Sequence, residues 1–460
     1  MRPYLLIDFG STYTKLTAVD LDEPRVLGTS AAITTIRDGL IHGYRCALER
    51  LNAETGPIRF QRQLACSSAA GGLKIVAIGL VPELTVEAAK RAALGAGGRV
   101  IGVFSHQLSG EDLVNLEAMR PDLILLAGGT DGGERQTILH NGRMLAESKV
   151  AVPIVVAGNR AAAPEVEAAL IEAGKTIYRV ANVLPELGRL NVEPVQQTIR
   201  EIFLKHIVQA KGLDQVERFI DGIAMPTPAA ALESARLLAD GDGTHPGLGE
   251  LMVIDIGGAT TDVHTVASGL PARAQVSLRG LPEPRIKRTV EGDLGMRYSA
   301  PALLEFFSAQ RVASLTGLNE AQVREGISRR ESNPEYLPEN EPDRHLEQGL
   351  GYLAVKGAVE RHAGRTEPYY TPMGQTYIQT GKDLTGLRTV IGTGGILAHS
   401  SQAKTIMRGA LFDPAYPEIL TPVQPKLLVD RGYLLPTLGL IAREFPTEAF
   451  ALLAPKLEEA

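Results

Sequence analysis

Two stretches of this chain are written to one plan. Tyr4-Leu5-Leu6-Ile7-Asp8-Phe9-Gly10-Ser11-Thr12-Tyr13-Thr14-Lys15 and Leu251-Met252-Val253-Ile254-Asp255-Ile256-Gly257-Gly258-Ala259-Thr260-Thr261-Asp262 each run from apolar residues into an aspartate, then to glycine, small residues and hydroxyls. Apolar run, glycine turn and second run predict a β-hairpin in each case. A chain that carries such a hairpin near its start and another past its middle is constrained to fold as two related halves facing one another.

Around these hairpins the rest of the chain sorts into regions. Three strands are expected over Tyr4–Asp8, Thr12–Asp20 and Leu27–Ile36, an antiparallel start, with a short helix near Tyr44–Leu51. From Leu73 the texture changes. Apolar runs at Lys74–Leu80, Arg99–Phe104, Asp122–Ala127, Pro153–Ala157 and Thr176–Ala181 alternate with amphipathic segments near Thr85–Leu94, Glu111–Met119, Glu134–Ser148 and Ala162–Ala173. Unalternating strands between helices indicate a parallel sheet covered on both faces. The fold class expected is therefore α/β, with 73–182 an inserted doubly wound module inside a first lobe of 1–245, and 246–460 a second lobe. Residues 186–240 read as mostly helical, 300–362 as helices, and Gly381 to Leu440 as a Gly-rich finish. Arg285, Lys287 and Arg288, a basic cluster after two prolines, read as a solvated loop.

Composition removes several function classes. The 460 residues carry 44% hydrophobic and 22% charged side chains, ordinary for a soluble globular protein of several domains. A net charge of -6 argues against broad nucleic-acid binding. No apolar stretch reaches the roughly 18 residues of a spanning helix, and no export signal is expected at the start. Cys46 and Cys66 are too few for a disulfide framework and lack the paired spacing of a zinc site, so two free thiols in a reducing cytoplasm are expected.

The hairpins have chemistry suited to polyphosphate. Glycines after a strand let backbone N–H groups approach an anion, and Ser11, Thr12, Thr260 and Thr261 add hydroxyl donors. Two hairpins grip phosphates from both sides through Gly10, Ser11, Thr12, Gly257, Gly258, Thr260 and Thr261, with Lys15 as a point charge. Asp8 and Asp255 suit a hydrated Mg²⁺, which takes one or two carboxylates, phosphate oxygens and retained waters. In a third element, Val390-Ile391-Gly392-Thr393-Gly394-Gly395-Ile396, bare backbone at Gly392, Gly394 and Gly395 admits an adenine ring and ribose.

This ordered set, Asp8–Lys15, Asp255–Asp262 and Gly392–Gly395, resembles the phosphate-1, phosphate-2 and adenosine motifs of the actin, Hsp70 and sugar-kinase superfamily of ATPases, over nearly the whole chain. Four further segments narrow it: Ala127–Gly133, Val290–Arg297, Gly381–Gly386 and Tyr433–Leu440, together with the hairpins, resemble the glutamate-mutase accessory protein family, also called MutL and distinct from the mismatch-repair protein of that name. The resemblance implies two actin-like (RNase H-like) lobes and binding of ATP and Mg²⁺. It also implies a chaperone-like role: reactivating an adenosylcobalamin-dependent mutase or aminomutase by releasing damaged cobalamin through nucleotide-dependent lobe movement. Carried over by position, Asp8 and Asp255 act catalytically and hold Mg²⁺ through water, the hairpin residues grip phosphate, and the helix after Leu434 is the second interlobe connection.

One position departs from the pattern. Superfamily members of the Hsp70 type begin their first interlobe helix with a glutamate that positions water; here the text is Met225-Pro226-Thr227-Pro228-Ala229-Ala230, with Asp262 or Glu233 as substitutes. Hydrolysis is thus expected to be weak. A small-molecule kinase on the same scaffold is the alternative, and it needs a carboxylate beside the terminal phosphate. Asp262-Val263-His264 nearly opens a cobalamin-carrier signature, but it lies inside the hairpin and ends on Ala267 where glycine is required.

Overall fold

The computed structural model describes residues 1–10, 12–34, 40–68, 73–203, 219–372 and 374–460. Ser11, the end of the third expected strand at Thr35 and Ile36, and part of the expected helical stretch before 219 lie outside the described residues. The chain divides into two compact units: Met1–Ala69, Gln215–Arg279 and Glu283–Ala460 form one, Ala70–Asp214 with Gly280–Pro282 the other.

The first unit begins with β1 (Pro3–Phe9), β2 (Tyr13–Asp20) and β3 (Arg25–Ile33), antiparallel neighbours, followed by the helix Leu40–Thr55 and β4 (Arg62–Ser67), which lies parallel to β1. Every residue of β1 is buried, as expected of a central strand with both faces covered.

The second unit holds β5 (Lys74–Gly79), β6 (Arg99–Ser105), β7 (Leu123–Leu126), β8 (Ile154–Val156) and β9 (Ile177–Arg179), all parallel and ordered β6-β5-β7-β8-β9. Strand order reverses between β5 and β7, where the Ala127–Gly133 loop emerges. Gly129 sits at φ +70°, and a Cβ there would lie 2.0 Å from the Glu134 carbonyl oxygen, so only glycine fits. Asn159 donates to the Gly133 and Glu134 carbonyls, and Asn182 to the Gly129 carbonyl and the Asp131 carboxylate. The loop is ordered by these asparagines.

Returning to the first unit, β10 (Ile223–Pro226) pairs parallel with β4 and leads into the helix Thr227–Asp240. Then come β11 (Leu251–Ile256), β12 (Thr261–Val266), β13 (Val276–Arg279) and β14 (Ile286–Glu291); after a helical region ending in the long helix Glu341–His362 follow β15 (Arg365–Thr371), β16 (Gly374–Thr380), β17 (Thr389–Thr393), β18 (Lys426–Asp430) and β19 (Leu457–Glu459).

The two halves match strand for strand. One sheet is ordered β3-β2-β1-β4-β10; the other begins β14-β12-β11-β17-β18, and each has antiparallel strands followed by two parallel ones. This is the paired actin-like architecture, and β19 extends the second sheet antiparallel to β18. A core shared by both sheets includes Leu6, Leu64, Val253, Ile391, Ala230, Leu435 and Leu438. The helices Thr227–Asp240 and Leu434–Gly439 run through it and cross closely, since a Cβ on Gly439 would lie 1.9 Å from the Ala230 carbonyl oxygen.

Two expectations are corrected. Arg285–Arg288 does not form a solvated loop: Ile286–Glu291 is a strand, and Arg288 is buried against Asp262. The β13-β16-β15 sheet lies where no strand pair was expected between the helices and the Gly-rich finish. Its residues are mostly exposed, so no buried apolar run announced it.

Candidate functional site: a cleft between two equivalent hairpins

The hairpins share more than sequence. Gly10 N–H donates to the Tyr13 carbonyl at 3.1 Å, and Gly257 N–H to the Thr260 carbonyl at 2.9 Å. Asp8 stands opposite Lys15 in one ladder and Asp255 opposite Asp262 in the other. The two turns also meet: a Cβ on Gly258 would lie 3.2 Å from Thr12 Oγ1.

Asp8 is fully buried. Its Oδ1 accepts from the Thr227 hydroxyl at 2.5 Å, while Oδ2 has no hydrogen-bond partner among the described residues. Burial raises its pKa, against the pull of Lys15 and Thr227. An orphaned carboxylate oxygen of this kind suits a cation or its water, because leaving it unmet costs the desolvation of a charge. Asp255 is pushed up to about 7 by burial and by the Asp262 carboxylate. The carboxylates therefore repel one another, and a divalent cation relieves that repulsion.

On the second hairpin the carbonyl edge is occupied. Gly257 and Gly258 carbonyls accept from Met296 and Arg297 N–H, and the Ala259 carbonyl from the Ser299 hydroxyl. A peptide unit whose carbonyl is held on one side points its N–H to the other, which leaves the N–H groups of Gly258, Ala259 and Thr260 directed away from the Met296–Ser299 segment. The segment that does this is Glu291–Ser299, so the Val290–Arg297 motif buttresses the turn of the second hairpin. The hydroxyls are committed too: Thr261 donates to the Leu294 carbonyl at 2.6 Å and Thr260 to Asp262 Oδ2 at 3.0 Å.

Asp262 is buried opposite Asp255, its Oδ1 accepting from Arg288 Nε at 3.0 Å and NH2 at 2.6 Å. Glu233 does not reach the site as a free base. Burial opposes its ionisation, but Arg443 and Arg236 bind it and hold its pKa below the ordinary value. Met225 belongs to β10, and the helix that follows contributes Thr227 to Asp8. His264 is sealed in β12, neither ring nitrogen partnered among the described residues, with its pKa lowered to about 4 by burial and by Arg288.

The glycines of the third element divide. Gly394, at φ +98°, would place a Cβ 2.3 Å from the Ile256 carbonyl oxygen and 3.0 Å from Asp255 Oδ1, which puts it beside the cleft. Gly395 opens on empty space. Gly392 faces inward, its missing side chain replaced by Leu397 and Met407 at 2.7 and 2.8 Å, so its smallness serves packing beneath the site.

Sequence reasoning missed three participants. Thr227 was read only as part of an interlobe helix, although a threonine at a helix start is well placed to direct its hydroxyl outward. Asp430 accepts from the N–H groups of Leu434 and Leu435, both at 2.9 Å, and from the Thr393 hydroxyl at 3.1 Å. It thereby ties the strand before Gly394 to the second crossing helix. Tyr433, at the start of that helix, lies under the Lys15 ammonium, 2.9 Å from Nζ to the ring centroid.

The family model for the MutL protein matches residues 4–457. The chain belongs to the MutL protein family. A protein MutL from Clostridium tetanomorphum is 48% identical over 456 residues, which cover 98% of each chain. Among solved structures, the activator of the 2-hydroxyisocaproyl-CoA dehydratase from Clostridium difficile matches at 11% identity and TM-score 0.33, over 98% of this chain and 96% of that one. A diol dehydratase-reactivating factor matches at 13% identity and TM-score 0.34, over 97% and 100%. These two likenesses are distant, and the assignment to the MutL family rests on the sequence matches. Among the described residues no helix is long and apolar enough to cross a membrane.

Proposed function

We propose that this chain is an ATP-dependent reactivating factor for an adenosylcobalamin-dependent mutase or aminomutase, and that it binds Mg²⁺-ATP between the Asp8–Lys15 and Asp255–Asp262 hairpins. Membership of the MutL family supports the reactivating role; the pairing of two hairpins in one register around an orphaned Asp8 oxygen supports the cleft. Asp8 and Asp255 would hold Mg²⁺ through water, and the ion would neutralise phosphate charge. The turn amides of Thr12, Gly258 and Thr260 would bind the phosphates, with the Gly10 and Gly257 amides closing the turns that present them, and Gly394 and Gly395 leave room for the nucleoside. Asp262, fixed by Arg288, orients water near the terminal phosphate.

Reactivation needs differential binding. ATP and ADP must favour different arrangements of the two lobes, and each arrangement a different state of the mutase. Nearly complete switching takes about 5.5 kcal/mol of differential affinity, which contacts from both hairpins to a triphosphate can supply. The test is recovery of activity by a mutase inactivated with a cobalamin lacking the adenosyl group, with and without ATP and Mg²⁺. Recovery only with both is expected, and should disappear with Asp255→Ala; recovery that survives that substitution unchanged would show the cleft to be misassigned.

A further inference from the structure

We propose that Tyr433 is a positioning residue for nucleotide recognition: its ring keeps Lys15 out of ion pairs with the cleft carboxylates, available to the terminal phosphate of ATP, and so makes the site prefer ATP to ADP. This rests on the reading of the cleft as a nucleotide site.

Lys15 has Asp8, Asp255 and Asp430 as its charged neighbours. Even so, among the described residues it makes no ion pair and donates no hydrogen bond; its ammonium rests on the Tyr433 ring face. A cation held by an aromatic ring is bound more weakly than one held by a carboxylate, and a phosphate displaces the ring more readily. The ring is therefore a placeholder.

The backbone shows that this placement is imposed. Tyr433 has φ +51° and ψ +44°, a left-handed conformation that costs any residue with a Cβ and is taken most readily by glycine. Gly432 stands directly before it, yet the tyrosine occupies the left-handed position. Asp430 holds the turn by accepting from Leu434 and Leu435 N–H, and the Tyr433 N–H donates to the Asp430 carbonyl at 3.3 Å. Strain that surrounding structure maintains in this way is characteristic of functional positions.

Tyr433 also begins the helix that crosses Thr227–Asp240, and Thr227 begins the other. The first hairpin is thus touched at both its charged residues by the starts of the two crossing helices: Asp8 by Thr227, Lys15 by Tyr433. Moving Lys15 from ring to phosphate changes the contact at one of them.

The test measures Mg²⁺-ATP and Mg²⁺-ADP affinity by calorimetry on the full chain and on Tyr433→Phe, Tyr433→Leu and Tyr433→Gly. Tyr433→Phe keeps the ring and should keep the ATP-over-ADP preference. Tyr433→Leu and Tyr433→Gly free Lys15 to pair with Asp8 or Asp255, so ATP affinity should fall roughly tenfold with ADP affinity little changed. Glycine suits the backbone angle, so its melting temperature should hold even if the leucine variant folds poorly. A glycine variant that keeps the wild-type preference, or a phenylalanine variant that loses it, overturns the proposal. Wild-type protein that binds neither nucleotide overturns the cleft reading and this inference together.

Discussion

Lys15 and Asp262 occupy the same place in two hairpins of the same design, each directly opposite the aspartate in its ladder, and they carry opposite charges. The two hairpins repeat one frame and differ in charge at this position. On the proposed reading, one jaw would contribute a cation to bind phosphate charge and the other a carboxylate to orient water.

Asp8 is held buried with one oxygen unmet, so its charge burdens the fold when no cation is bound. Asp8→Asn should therefore leave the melting temperature of the nucleotide-free protein unchanged or raised, while abolishing the stabilisation that Mg²⁺-ATP confers. Thermal melts with and without Mg²⁺-ATP read both effects.

Arg288 and Asp262 form an ion pair with side-chain exposures of 3% and 10%. Removing one partner from a buried pair leaves the other charge unmet, at a cost of about 3–5 kcal/mol. Arg288→Met should lower stability in urea by that order, and adding Asp262→Asn should restore part of it. A double-mutant cycle with no coupling between the two sites would contradict the pairing.

Lys382 is fully buried, its ammonium donating to the Ala267 and Arg285 carbonyls at 2.5 and 2.8 Å, and burial lowers its pKa to about 7. The unfolded chain holds this proton to about pH 10.4, so from pH 7 upward the unfolded state binds more protons than the native one. The penalty for burying the charge is complete below about pH 7 and is relieved as pH rises toward 10, by up to about 1.4 kcal/mol per pH unit. Lys382→Met should remove this rise from a plot of unfolding free energy against pH between 7 and 9.5.

The two cysteines should separate in thiol titration. Cys46 is half-buried, whereas Cys66 is buried beside Asp8, and burial pushes its thiol well above the ordinary value. One thiol should react promptly in native protein and both in denaturant. Prompt reaction of both in the native state would mean that the floor of the cleft is open.

Much of this was legible in the sequence, for identifiable reasons. Aspartate and glycine punctuate the strands of both hairpins, and the regular alternation from Leu73 to Ala181 made the parallel sheet readable, with helix ends such as Gly110–Met119 within a residue of the expected ones. Arg288 was misread because a basic residue after prolines looks solvated, and only the ladder with β12 reveals that it points at Asp262. Thr227 and Tyr433 reach Asp8 and Lys15 from far along the chain, and no local pattern encodes such a meeting. A left-handed tyrosine beside an available glycine has no signature in composition or periodicity.

The crossing at Gly439 and Ala230 is backbone against backbone, with no side chain on one side to change rotamer or yield. Such a contact behaves as a fulcrum more than as a cushion: the helices can tilt about it but cannot be pressed closer. Gly439 ends a helix that starts beside Tyr433, at a rise of about 1.5 Å per residue only some 8 Å away. If the nucleotide binds as proposed, the arm from the phosphates to this contact would be short and the mass it turned would be a whole lobe. With that geometry, a displacement of an ångström at Lys15 would be geared into a much larger sweep at the far surface, where a client enzyme would meet it.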